Sequence, residues 1–201
     1  MMPVTGHRYF IVNKPPDMVS QFVSPDKVGL LGDLDFDFPE GTHAIGRLDN
    51  NSEGLLILTT NKKVTKLLFE SKVPHKRVYL VQVANIVSEE TLQRLRTGVS
   101  IRISGGVEYV TGECDVHIVD DPLQVYPQAT ALPDYIPVTW LLLSLTEGKY
   151  HQVRKMVAAV RHRCKRLIRV SIEDLALDGL APGQVREITE TAFFKLLHIE
   201  R

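Results

Sequence analysis

Asp49 stands two residues after Arg47 in the stretch Ile45 to Leu58, IGRLDNNSEGLLIL. A carboxylate held at a tight bend beside a cation is placed like a catalytic group. The bend follows from the residue types. Asn50, Asn51, Ser52 and Gly54 favour turn or left-handed geometry and break the strand that Ala44 and Ile45 begin. Leu55 to Leu58 then form a short continuous apolar run, which suits a central strand covered on both faces better than a helix of that length. Asp49 either reacts or merely caps the turn, and spacing alone leaves both open.

A second set of chemistry-bearing residues lies between Gly148 and Ile172. It holds Lys149, Arg154, Lys155, Arg161, Arg163, Lys165, Arg166 and Arg169 and no acidic residue. Formal net charge is +0, so the distribution of charge is the informative quantity. A run of one sign is the electrostatic footprint of a phosphate backbone, the plainer alternative being a solvated basic face.

The elements that position these residues alternate irregularly. Arg8 to Val12 reads as a strand ended by Asn13, Lys14, Pro15 and Pro16, since proline lacks the N–H a central strand needs. Asp33 to Glu40 is an acidic connector carrying Phe36 and Phe38, and Asn61 caps a helix with Val64, Leu67 and Leu68 at helical spacing. Lys76 to Val83 alternates like a strand. Ser88 caps a helix with Glu89 and Glu90 in its first turn, and Gly98 ends it. Val99 to Val119 gives strands and turns with a hairpin signal at Gly105 and Gly106, and Asp120 to Pro137, with four prolines, is a long loop. Val138 to Leu145 is a buried strand. His151 to Val160 is a helix with Val153, Met156, Val157 and Val160 on one face. Ile172 to Leu177 reads as a strand, Ala181 to Gly183 as a turn, Arg186 to Ile188 as a last strand, and Thr191 onward as an apolar helix. Strands dominate without regular βα alternation, which predicts an α+β fold with a mostly antiparallel, mixed sheet.

Composition bounds the function classes. With 201 residues, 44% hydrophobic and 24% charged, the chain is an ordinary globule. MMPVTGHRYF has no signal-peptide core and no run reaches membrane length, so a cytoplasmic protein without a membrane partner is expected. Cys114 and Cys164 are too few and too far apart for zinc and read as structural thiols. No P-loop or dinucleotide fingerprint is present.

With its flanks, GRLDNNSEGLLILTTN resembles the catalytic motif of the pseudouridine synthases that act on ribosomal RNA, the branch of the RsuA, RluB, RluE and RluF types. FIVNKPPDMVSQF, KRVYLVQV, EGKYHQVRKM and LDGLAPGQVREIT extend the resemblance over nearly the whole chain. The NKP stretch followed by SQF, and the lack of a small N-terminal RNA-binding module, look most like the RluE type, which modifies large-subunit rRNA. HRCKR departs from the pattern in being more basic.

The resemblance implies one catalytic domain over residues 1–201, of two sheet-sharing subdomains with a central cleft. It implies Asp49 as nucleophile, Tyr79 stacked on the target base and Arg154 paired with the aspartate. RNA contacts are expected at Arg47, Lys14 and Gln152 and, from the one-signed basic run, at Lys155, Arg161, Arg163, Lys165 and Arg166, and the resemblance implies an apolar wall at Leu175 or Leu177. The uridine would be flipped into the cleft, Arg47 filling its place, and Asp49 would attack the uracil ring or the ribose. No metal or other cofactor is required, because nothing is oxidised and no phosphoryl group moves. The partner is large-subunit rRNA or an assembly intermediate, and the expected state is a monomer. Two rivals stand beside this reading. A glycoside hydrolase would use Asp49 and Glu53 as its two carboxylates. A non-catalytic RNA-binding module would need the basic run but not Asp49.

Overall fold

The computed structural model describes residues 6–69, 73–130 and 135–200. The chain forms two compact units, the first of Met1–His75 with Ser171–Arg201, the second of Lys76–Val170.

The first unit is built on β1 (Tyr9–Lys14) and β3 (Glu53–Thr59), which pair antiparallel from Tyr9 opposite Thr59 to Lys14 opposite Gly54. Every residue of both strands is buried. The reason is cover on two faces. Phe10 and Val12 join Leu56 and Leu58 in a cluster with Met18, Leu31 and Leu48, against which Phe22, Phe36 and Phe38 pack. Tyr9 meets α5 (Glu190–Leu196), its ring 4.5 Å from Phe193 and 5.8 Å from Phe194. The acidic connector therefore contributes its aromatic rings to the core while its carboxylates face outward. β2 (His43–Ile45) pairs with the end of β3, and β11 (Val185–Ile188) with the other edge of β1. α1 (Val64–Phe69) follows β3, with the Asn61 side chain accepting from the Lys63 N–H.

The second unit sets β8 (Val138–Leu145) between β4 (Arg77–Ala84) and β7 (Asp115–Ile118), both antiparallel to it. β5 (Ser100–Arg102) and β6 (Glu108–Val110) make the expected hairpin. Val81, Val83, Leu141 and Leu143 form a core with Leu92 and Leu95 of α2 (Glu89–Thr97) and with Val153, Met156 and Val157 of α4 (Gln152–Ala159). Ser88 accepts the Thr91 N–H as N-cap, and Gly98 closes α2 at φ 100°, where an added Cβ would lie 2.3 Å from the Thr111 carbonyl oxygen. The fold is α+β with a mostly antiparallel sheet, as the patterning predicts.

Three boundaries differ from expectation. β1 continues through Asn13 and Lys14, because Pro15 is the first residue lacking an N–H and nothing before it stops the strand. The long loop contains a short α3 (Pro122–Val125), capped by Asp121, with Tyr126 buried after it; residues 131–134 of that loop lie outside the described residues. The expected strand Ile172 to Leu177 is instead the end of β9 (Cys164–Ile172), a turn at Glu173 and Asp174, and the two-residue β10 (Leu175–Ala176), which folds back on β9. Both residues of HRCKR beyond Arg163 that carry charge, Lys165 and Arg166, thus lie in a strand, not a loop. Among the described residues no helix is long and apolar enough to cross a membrane.

Candidate active site

Asp49 lies on the turn between β2 and β3, in the first unit. Its carbonyl accepts the Ser52 N–H at 3.0 Å, closing a turn over Asn50 and Asn51, and the Ser52 hydroxyl stands 3.5 Å from its carboxylate. Gly46 enters the bend at φ 71°, with the Phe69 ring 2.9 Å from where a Cβ would stand. Asp49 is half-buried and the flanking Arg47 exposed.

The residues on either side of Asp49 are gripped by the segment after β1. Ser20 donates its hydroxyl to the Leu48 carbonyl and accepts the Leu48 N–H, both at 3.0 Å. The Asn50 carbonyl accepts from the Met18 N–H at 3.3 Å and from the Lys14 ammonium at 3.2 Å. The same ammonium donates to the carbonyls of Met18 at 2.6 Å and Pro15 at 2.8 Å. Lys14 is 0% exposed. The expectation places it on the RNA; it is instead the buried pin of the turn that carries Asp49. Its strand position explains this, for β1 is covered on both faces down to its last residue. Burial pulls the ammonium down to about 8, a fall held in check by the negative charges of Glu53, Asp17 and Asp49.

Glu53 is 6% exposed at the start of β3 and lies in the field of Lys14. Leu175 and Leu177 are buried in the first unit, and Arg186 donates to the Leu177 carbonyl at 3.0 Å.

The other candidates belong to the second unit. Tyr79, opposite Leu143 on β4, is half-buried and packs on that unit's core. Arg154 and Lys155 are half-buried on α4, and Arg154 Nη1 stands 3.7 Å from Cys164 Sγ. Arg161 and Arg163 are exposed, Lys165 is half-buried, and Arg169 is buried. Arg166 turns inward, donating to the carbonyls of Gln128 and Thr130 at 3.0 Å each and lying 5.8 Å from the Trp140 ring. Gln152 is buried rather than offered to RNA. Its amide donates to Glu147 Oε1 at 2.5 Å and its carbonyl accepts the Lys149 N–H at 2.7 Å. Glu147 also accepts from the Gly112 N–H at 3.0 Å and from the Tyr109 hydroxyl. Partial burial pushes the Glu147 carboxyl up, but these three donors outweigh it and hold it below the usual carboxylate range. Burial pushes the half-buried Cys114 thiol up to about 11, in keeping with a structural role. Among the described residues no group of three or more His, Cys, Asp or Glu stands where it would hold a metal ion.

Ser20, Glu147 and Tyr109 help to carry these two frameworks and nothing in their sequence spacing announces them, for the bonds Ser20–Leu48, Glu147–Gly112 and Tyr109–Glu147 span 28, 35 and 38 residues.

The family model described as RNA pseudouridylate synthase matches residues 8–159. A relative from Xanthomonas axonopodis pv. citri, ribosomal large subunit pseudouridine synthase E, is 36% identical over 174 residues, which cover 86% of this chain and 89% of the relative. A protein of the same name from Vibrio parahaemolyticus is 34% identical over 91% of this chain and 74% of the relative. A crystal structure of a pseudouridylate synthase superposes with a TM-score of 0.76 at 28% identity, over 95% of this chain and 74% of the other.

Proposed function

The chain belongs to the RNA pseudouridylate synthase family and is an enzyme that isomerises uridine in ribosomal RNA; from that premise we propose that its substrate is large-subunit rRNA and its nucleophile Asp49. The observation that carries the nucleophile is the clamp on Leu48 and Asn50, which fixes the backbone on both sides of a half-buried, reachable carboxylate. A reacting group held this way loses little freedom on binding substrate.

The uridine leaves its stack, and Arg47, exposed beside Asp49, takes the vacated space. Tyr79 stacks on the flipped base, a task that tolerates a changing ring. Asp49 attacks either the uracil ring or the ribose anomeric carbon. The N1–C1′ bond breaks, the base turns, C5–C1′ forms, the bond to Asp49 breaks to return its carboxylate, and the proton of C5 is lost while N1 gains one, so atoms balance with no redox partner. Arg154 pairs with Asp49, and Leu175 and Leu177 back the site as an apolar wall. Arg161, Arg163, Lys155 and Lys165 meet phosphates. The enzyme works as a monomer in the cytoplasm, with the ribosomal precursor or free rRNA as partner.

Asp49→Asn tests the reading. Folding and RNA affinity should stay near wild type while pseudouridine in an unmodified large-subunit transcript disappears. Residual turnover above a few per cent would refute the nucleophile.

A further inference from the structure

The six residues that follow β8, the loop 146–151, are held from within and display aromatic rings outward. Glu147 and Gln152 tie it to Tyr109 and Gly112 near the β5–β6 hairpin. On the outer side Tyr150 is 65% exposed and stacks on His151, the ring centroids 3.8 Å apart and the planes 19° from parallel. His151 reaches this pose at φ 55°, ψ 30°, in the left-handed region, as the N-cap residue of α4 that makes no capping bond with its side chain. The Lys155 ammonium lies 5.2 Å from the Tyr150 centroid and that of Lys149 lies 4.7 Å from the Tyr109 centroid.

We propose that the Tyr150–His151 stack is a fixed platform for an unpaired base of the substrate RNA outside the reacting uridine, with Lys149 and Lys155 taking the flanking phosphates. The proposal deepens the rRNA reading above and rests on it. Three observations converge. An exposed tyrosine ring is an amphipathic surface that any base can cover, and a second ring already aligned on it spares the cost of ordering both. The carboxylate nearest in the chain, Glu147, is turned inward and satisfied by three donors, so the outward surface is left to cations. From Gly148 to Ile172 the chain has no acidic residue, which fits a polyanion and disfavours a basic or neutral protein face. The left-handed turn at His151 is the local distortion that aligns the rings, and such distortions concentrate where a ligand is bound.

The test is steady-state kinetics on an unmodified large-subunit rRNA transcript with wild type, Tyr150→Ala and Tyr150→Phe. Tyr150→Ala should raise KM by roughly 5- to 100-fold, the range expected for one stacked base, and leave kcat within about twofold; Tyr150→Phe should stay near wild type. A single-stranded RNA 12-mer carrying 2-aminopurine should be quenched on binding wild type and much less on binding Tyr150→Ala. Equal KM and equal quenching for all three proteins would overturn the platform. Loss of kcat in Tyr150→Ala, or of thermal stability in both variants, would assign the ring to the fold or the chemistry and equally overturn it. An effect seen only with assembled ribosomal particles, not with the naked transcript, would make the surface a protein contact and refute the RNA base. A wild type that forms no pseudouridine in any rRNA would fail the underlying reading instead, a result the variants cannot imitate.

Discussion

The turn that carries Asp49 and the loop that carries Tyr150 are both irregular backbone held by an inward-turned polar side chain, the buried Lys14 and the half-buried Glu147, but the two anchors have opposite sign. In the first, the Lys14 ammonium gathers three carbonyls and the turn presents a carboxylate. In the second, the Glu147 carboxylate gathers three donors and the loop presents Lys149 and Lys155. Each anchor also balances the charge displayed above it. The difference teaches that a lysine count says little about RNA contact until the strand or helix carrying each lysine is known.

The largest effect that would break this comparison is at Lys14. Lys14→Met keeps the volume but takes the ammonium from the carbonyls of Pro15 and Met18 and leaves that of Asn50 with the Met18 N–H alone, which should cost about 2–4 kcal/mol in urea unfolding and release the turn under Asp49. Activity should fall through kcat. A variant as stable and as active as wild type would show that the pin does not hold the turn.

Gln152→Ala, on the other side of the comparison, strands only the Lys149 N–H and one bond to Glu147, both at partly exposed positions. A loss of about 1–2 kcal/mol is expected, with KM rising and kcat little changed. Equal losses in kcat for the two variants would erase the distinction between a chemical turn and a binding loop.

The two anchors should also separate on a pH axis. Lys14 has a folded value near 8, below its ordinary 10.5, so the unfolded chain binds more protons between these values and this group's contribution to stability rises with pH across that window. Glu147 is depressed, so its contribution is present above the ordinary carboxylate value and lost as pH falls through the folded one. In thermal melts the gap between wild type and Lys14→Met should therefore widen from pH 7.5 to 9.5, and that between wild type and Glu147→Gln should narrow below pH 4.5. Parallel curves would mean that neither group titrates differently on folding.

Much of this frame was legible in the sequence because it depends on local patterning. The continuous run Leu55 to Leu58, the apolar stretch in Val138 to Leu145 and the helical face of Val153, Met156 and Val157 each report burial directly. The turn at Asn50 and Asn51 was legible for the same reason. What could not be read was which cations turn inward. Lys14, Arg166 and Arg169 sit in strands whose cover comes from residues far off in the chain, and Ser20 reaches Leu48 across 28 positions. In the sequence the basic run reads as one surface, whereas a strand sends neighbouring side chains to opposite faces.

A third cation sets the lower bound of the scale. Arg8, just before β1, makes a two-pronged ion pair with Glu187 of β11, Nε to Oε1 and Nη2 to Oε2 both at 2.7 Å. The pair is solvent-reached, with side chains 31% and 43% exposed, so water and salt screen most of what its geometry suggests. The hydrogen bond from Arg8 holds the Glu187 carboxyl low, and its stabilising effect is accordingly present at neutral pH and lost as pH falls through that depressed value. Glu187→Gln should cost only about 0.5–1 kcal/mol, and about half of that or less should remain in 1 M salt, where the Debye length shrinks to about 3 Å. Lys14 lies at the other end of the same strand, where burial excludes the salt. Its contribution should therefore be nearly salt-independent. If Glu187→Gln and Lys14→Met lost the same stability with the same salt dependence, burial would not be what distinguishes the pin from the surface pair.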